Sequence, residues 1–389
     1  MRLAPGIVLA LTAVVLTACS GSNSGSSSDS ASGSSTSGSS SSAVPPTTSG
    51  KQDCAAGYLA QFTPRQKLAQ LLTVGVTGAA DAENVIKTEQ VGGIFVGGWT
   101  DKSILTDQSS MAKVKAAART PLMVTIDEEG GRVSRVKDLI GPAPSARVTA
   151  QTMTPDEFYK FSLDRAQKLK ALGVTVDFAP DVDVSAQPDD SVIGDRSFSD
   201  DPDVVVQYAD ALIRAYHEAG IGTVMKHFPG HGSGSGDSHT GAVRTPPLAE
   251  LQDKDLVPYR KLIDSGSAVM VGHLDVPGLT EPNVPASISP QAMALLRQGT
   301  GYDSAPFTGV IFTDDLGGMA AITARMSIAD AVEAALVAGA DNALWITTDA
   351  VPQVLDRLEQ AVSSGRLPGS QVDASVLRMA KFKGTAPHC

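Results

Sequence analysis

The stretch KHFPGHGSGSGDSHTG, residues 226–241, concentrates the side chains best suited to chemistry. Lys226 and His227 close an apolar run, and Pro229 and Gly230 bar helix continuation. Ser233-Gly234-Ser235-Gly236 then makes a pliable loop ahead of Asp237-Ser238-His239. Two residues apart, Asp237 and His239 can lie on one side of an extended segment, with the carboxylate holding one imidazole nitrogen and the other nitrogen facing a substrate. A neighbouring carboxylate favours imidazolium, so the pair can supply a proton near neutral pH and take it back. A metal reading of His227, His231, Asp237 and His239 has less support. The His227/His231 pair is not on a helix, no second ligand motif accompanies it, and no metal is expected.

Other polar residues recur at one kind of place. Eight short runs rich in apolar and β-branched residues, 71–76, 93–96, 122–126, 174–178, 223–226, 268–271, 310–313 and 343–346, are each followed by a helical or loop segment. Most are continuous rather than alternating, as parallel strands covered on both faces would be. Helices are predicted over 156–172, 203–219 and 328–338, each closed by a glycine, with Thr63-Pro64 as a helix start and Ser327 and Asp349 as N-caps. Eight strands alternating with helices predict a single-domain α/β fold, a (β/α)8 barrel, with an open doubly wound sheet as the alternative. The polar residues favour the barrel. Asp127 follows the third run, Asp177 and Asp181 the fourth, Lys226 and His227 the fifth, His273 the sixth, and Asp314 and Asp315 the seventh. Barrel active sites form at that rim, where the carboxyl ends of the strands converge.

Four ordered motifs, IDEEGGRVSR from Ile126, VIGDRSF from Val192, the loop described above and GVIFTDD from Gly309, give the chain after about Ala60 its resemblance to family 3 of the glycoside hydrolases. Within that family it resembles the single-domain β-N-acetylglucosaminidases. The resemblance implies a barrel, a retaining mechanism and no cofactor. It implies Asp314 as nucleophile, with Asp315 only its neighbour, and His239 as acid/base beside Asp237. It also implies sugar binding by Asp127, Arg135, Arg196, Lys226 and His227, where Asp127 would accept hydrogen bonds from hydroxyls and the cations would donate them. One departure stands out. Relatives often begin the segment between GHG and DSH with Asp-Thr, where this chain has Ser233-Gly234, so looser loop closure is expected. Glu128 and Glu129 are expected to be supports, and Asp177, Asp181 and Asp183 to cap strand ends. His273 is either a pocket-lining or a satisfied rim histidine, and Trp99 and Trp345 are either packing residues or sugar platforms.

The 389 residues are 42% hydrophobic and 19% charged, enough apolar material for a large core. A formal charge of -11 argues against a nucleic-acid partner, since phosphate binding needs a basic surface. Arg2, an apolar run over 7–16 and Leu16-Thr17-Ala18-Cys19 read as a lipoprotein signal peptide over 1–18, with Cys19 lipidated. A Ser/Gly-rich flexible tether follows over 19–50, and the barrel domain over 51–389. An extracytoplasmic, membrane-anchored enzyme is therefore expected, in an oxidising compartment where Cys54 and Cys389 can pair across the barrel ends. The expected substrate is an N-acetylglucosamine-containing glycan or muropeptide. Two rival readings keep the barrel: a phosphorylase, because a histidine acid/base does not repel phosphate, and a β-glucosidase. A third makes the chain a non-catalytic cell-wall-binding lipoprotein.

Overall fold

The computed structural model describes residues 49–386, with side chains from Cys54 onward. The expected signal peptide, Cys19, nearly all of the tether and Cys389 lie outside the described residues.

Eight parallel strands close in chain order: β1 Leu72–Gly75, β2 Gly93–Val96, β3 Met123–Ile126, β4 Val176–Asp177, β5 Gly222–Phe228, β6 Ala268–Val271, β7 Ile311–Asp315 and β8 Asn342–Trp345. Closure is made where β8 returns to β1, with Leu72 opposite Ala343 and Val74 opposite Trp345. Every residue of β1, β2, β3, β6 and β8 is buried, the consequence of covering both faces of continuous apolar strands. The expected runs and the strands coincide to within one or two residues at every boundary, and two of the differences bear on the site. β4 is shorter than 174–178 because Pro180 has no N–H to give. Phe178 N still donates to Ile126 O at 2.8 Å, and beyond it the ladder on the β3 side stops. β5 runs on to Phe228, which carries Lys226 and His227 into the barrel rim.

The helices follow from their caps. Pro155–Ala171 starts at a reciprocal capping box between Thr154 and Glu157, and Pro64–Ala69 starts at one between Thr63 and Gln66. Pro202–Ala219 is capped by Asp201, and Ile328–Ala338 by Ser327 as expected. Asp349 is not a cap: the helix Val351–Ser363 begins after Ala350 with no side-chain cap, and Pro352 in its first turn removes one of the donors that a cap would serve.

An aromatic column runs through the barrel. Phe382 meets Phe312 at 5.9 Å between ring centroids, Phe312 meets Phe178 at 5.5 Å, Phe178 meets Phe95 at 5.8 Å, and Phe95 meets Trp99 at 5.9 Å. The first four rings fill the interior. The last, Trp99, emerges at the carboxyl-end rim. A cavity of about 610 Å³ opens at the opposite end, among Leu122, Gly222, Ser267, Val310, Phe382 and Lys383. The chemistry gathers instead in a cavity of about 270 Å³ at the rim.

Candidate active site

The floor of the rim cavity is an ionic lattice built from three strand ends. Lys226, at the end of β5, places its Nζ 2.7 Å from Asp127 Oδ1 and 2.6 Å from Glu129 Oε1. Arg196 grips Glu129 with two hydrogen bonds of 2.8 Å, from Nε and a terminal nitrogen, and lies 3.3 Å from Asp181 Oδ2. Burial opposes ionisation of Glu129, but the guanidinium of Arg196 and the ammonium of Lys226 hold it well below the usual carboxylate range. Burial also opposes the charge on Lys226, and the carboxylates of Asp127 and Glu129 more than offset it, raising the ammonium above its ordinary value. Glu129, Lys226 and Arg196 are thus held charged by one another, with oxygens and N–H groups left to meet hydroxyls.

Arg135 completes it from the segment after β3. Its terminal nitrogen lies 3.7 Å from Asp127 Oδ2, and its buried Nε has no partner among the described residues. Glu128 explains its position: the buried carboxylate is paired with Arg165 at 2.7 Å and accepts from Arg135 N at 2.6 Å and Val136 N at 3.0 Å. Glu128 thus builds the turn, while Glu129 braces the clamp and also lines the cavity.

His227 is held differently. Its Nδ1–H donates to Asp183 Oδ2 at 2.7 Å, which leaves Nε2 facing Arg196 at 3.4 Å. Burial lowers the basicity of His227 and raises Asp183. Asp183 Oδ1 accepts from His231 N at 2.6 Å as well, so this carboxylate organises the whole KHFPGH turn. Asp181, Asp183 and His227 bring ligand-type atoms within 4.8 Å of one another. The 2.7 Å hydrogen bond between Asp183 and His227 leaves no room for an ion between them, however, and Arg196 already supplies the positive charge.

Asp314, on β7, is the carboxylate aimed into the cavity. Its Oδ1 accepts from Asp315 N at 2.9 Å, and only 7% of the residue is exposed. Burial would push its carboxyl up, but His227, His273, the Asp315 N–H and the Lys226 ammonium together hold it below the ordinary value. It is an anion with one oxygen committed, which is what a nucleophile needs. Its neighbour Asp315 turns to the glycine loop, where Oδ1 accepts from Gly317 N at 2.8 Å, and burial raises it to about 6.

The Asp237–His239 pair stands at the mouth. His239 Nδ1 meets Asp237 Oδ1 at 2.8 Å, and the same oxygen accepts from His239 N at 2.9 Å, so the expected pairing forms, but across a turn rather than along an extended segment: Thr240 N and Gly241 N donate back to Asp237 O at 3.0 and 3.1 Å. Burial works against ionisation of Asp237, and the His239 N–H and ring outweigh it, so Asp237 stays a carboxylate below its ordinary value. The His239 side chain is 62% exposed and lines the same cavity as Asp314. The loop is also pinned where looseness was expected: Ser235 N donates to Arg244 O at 2.9 Å, Gln187 Nε2 to Gly234 O at 3.1 Å, and Ala321 N to Ser238 O at 3.0 Å.

His273 proves to be a satisfied rim histidine. Its Nδ1 meets Ser287 Oγ at 2.7 Å and its Nε2 the carbonyl of Asp315 at 2.8 Å, so it buttresses β7. Trp345 is buried packing, whereas Trp99 is 49% exposed and lines the cavity. Asp177 is not a reacting group either: it is buried, accepts from Glu128 N at 2.9 Å, and is raised by burial to about 8. Sequence reasoning missed the organising roles of Glu129 and Asp183. Their only signal was placement just after a strand end, which they share with residues that merely cap.

Residues 63–382 match the glycosyl hydrolase family 3 N-terminal domain. The Mycobacterium tuberculosis protein named beta-hexosaminidase LpqI is 51% identical over 388 residues, covering 98% of this chain and 97% of its own. A solved GH3 glycosyl hydrolase from Mycobacterium smegmatis is 58% identical and superposes with a TM-score of 0.82, over 84% of this chain and 98% of its own. A GH3 beta-N-acetylglucosaminidase structure from Paenibacillus is 31% identical with a TM-score of 0.75, over 83% of this chain and 62% of its own.

Proposed function

Because this chain belongs to family 3 of the glycoside hydrolases, we propose that it is an exo-acting, retaining β-N-acetylglucosaminidase that removes terminal β-linked N-acetylglucosamine by two displacements at Asp314. The observation that carries the reading is the pairing of two features in one cavity: an ionised, buried Asp314 on the floor and an Asp237-held His239, with its Nε2 available, at the mouth.

In the first step Asp314 attacks the anomeric carbon while the bond to the leaving oxygen breaks and the His239 imidazolium gives that oxygen its proton. In the second, neutral His239 takes a proton from water, the water oxygen bonds to the anomeric carbon, and Asp314 leaves as carboxylate. Two inversions retain the β configuration. The charged clamp of Asp127, Arg135, Lys226 and Arg196 binds hydroxyls of the terminal sugar, so one ring fills the buried pocket and only a chain end is cut. Asp237 orients the imidazole through Nδ1 so that Nε2 faces the glycosidic oxygen.

The reading extends to place and substrate. The LTAC segment supports an extracytoplasmic enzyme lipid-anchored at Cys19 to the bacterial cell membrane, where peptidoglycan-derived muropeptides with terminal N-acetylglucosamine are the polymer fragments within reach. The test is a product assay on defined muropeptides, with and without phosphate. Free N-acetylglucosamine in both conditions is the expected outcome. N-acetylglucosamine 1-phosphate appearing with phosphate would make it a phosphorylase, no release from muropeptides together with turnover of an aryl β-glucoside a β-glucosidase, and turnover of neither a binding protein.

A further inference from the structure

The rim cavity has two unlike walls. The ionic wall, Asp127, Glu129, Arg196 and Lys226, lies deep, and its side chains are at most 21% exposed. The opposite wall is apolar, formed by Phe95, Trp99, Met319, Leu344 and Ile346. Among the lining side chains only two stand well out in solvent: His239 at 62% and Trp99 at 49%.

A packing tryptophan would bury its ring. Trp99 keeps half of its surface in water, yet it is held as firmly as a core residue. Gly97 lies directly beneath the indole, where a Cβ would fall 2.3 Å from a ring carbon, so only glycine lets the ring settle on the backbone. Phe95 supports it from the aromatic column at 5.9 Å. Lys102 spends its ammonium on this turn, donating to Gly97 O at 2.7 Å and Thr100 O at 2.9 Å. Thr100 Oγ1 ties the turn to β1 through Val76 O at 2.7 Å and accepts from Gly97 N at 3.0 Å. A rigid aromatic face that loses no freedom on binding is an efficient platform for the face of a pyranose or an aryl group.

Resting on the reading of Asp314 and His239 given above, we propose that Trp99 is the platform for the departing group and sets the preference for what the sugar is attached to. The terminal sugar fills the deep ionic pocket, and the bond to be cut must reach His239 Nε2. The departing group therefore lies outward of the clamp, at the level where, besides His239, the one well-exposed lining side chain is the indole of Trp99. Substrates whose leaving group presents a flat or apolar face are favoured over those with a small one.

The experiment compares wild type with Trp99→Ala, Trp99→Leu and Trp99→Phe on an aryl β-N-acetylglucosaminide and on N,N′-diacetylchitobiose, and measures inhibition by free N-acetylglucosamine, which fills the deep pocket alone. The alanine and leucine variants should raise KM for both substrates about 5- to 10-fold while the inhibition constant stays within about 2-fold, and phenylalanine should restore most of the loss. The unchanged inhibition constant reports an intact pocket, and leucine keeps apolar contact with Phe95 should alanine loosen the turn. Unchanged KM values in the leucine variant, or an inhibition constant that rises in step with KM, would overturn the assignment. A wild-type protein that cleaves neither glycoside would instead sink the hydrolase reading itself.

Discussion

At the scale of single residues the site separates charges by environment. In Asp314 and Glu129 the neighbouring favourable charges outweigh burial and hold the carboxyls below the usual range, whereas in Asp177, Asp255 and Asp315 burial outweighs them and raises the groups to about 8, 7 and 6. For Asp255, burial comes first among the causes, and its Oδ1 has no partner among the described residues. Its folded-state value lies above the unfolded one of about 3.9, so folding takes up a proton across that interval and stability drains away as pH rises through it. Asp255→Asn, neutral at every pH, should therefore melt higher than wild type at pH 8, by on the order of 2 kcal/mol, and show no advantage near pH 4. Melting curves at the two pH values decide it; a pH-independent difference would mean that Asp255 is not protonated in the fold. The nucleophile, dyad and clamp residues were legible from their types and motifs. Glu129 and Asp183 were not, because their partners lie 67 and 44 residues away and meet them only when the barrel closes.

At the scale of elements the strands do the positioning. Continuous apolar runs made them readable, since a strand covered on both faces tolerates little else. The loop after β5 was readable in content but not in stiffness: Ser and Gly promise freedom, whereas the hydrogen bonds to Arg244, Gln187 and Ala321 take it away. Gly230 is the pivot of that loop. Its φ of +135° suits glycine alone, and a Cβ there would sit 2.4 Å from Asp255 Cβ. Gly230→Ala should cost roughly 1–3 kcal/mol and shift the turn that carries His227 and His231, lowering both melting temperature and kcat/KM. Wild-type values for both would show that the turn relaxes freely and does not position the site.

At the scale of the whole molecule, closure of the barrel brings its early and late elements together. The helix Ser49–Leu59, which carries Cys54, packs on the final helix Gly369–Phe382, and Thr385 N folds back to Ala380 O at 2.8 Å. The expected Cys54–Cys389 bond, whose second partner lies outside the described residues, would close nearly the whole domain and add on the order of 6 kcal/mol in the chain-entropy picture. Peptide mapping without reductant should find the cross-linked pair in exported protein, and two free thiols would refute it. Mass spectrometry of membrane-extracted protein should likewise find Cys19 as a lipidated first residue; an unmodified chain starting elsewhere would end the anchor proposal. The (β/α)8 architecture was legible from the alternation of elements. So was the end of the barrel that matters: the larger cavity opens at the opposite end, and the polar strand ends already single out the rim.

The division of labour between Asp314 and His239 is the centre of this account, and azide rescue tests it most directly. Asp314→Ala should lose turnover on every substrate, because the other carboxylates lining the cavity are committed elsewhere, Asp315 to Gly317 N and Asp127 and Glu129 to Lys226. His239→Ala should fail mainly on poor leaving groups, and with an activated aryl N-acetylglucosaminide plus azide, which needs no base, it should regain turnover and yield the β-glycosyl azide. An α-glycosyl azide, or equal loss on good and poor leaving groups with no rescue, would contradict it.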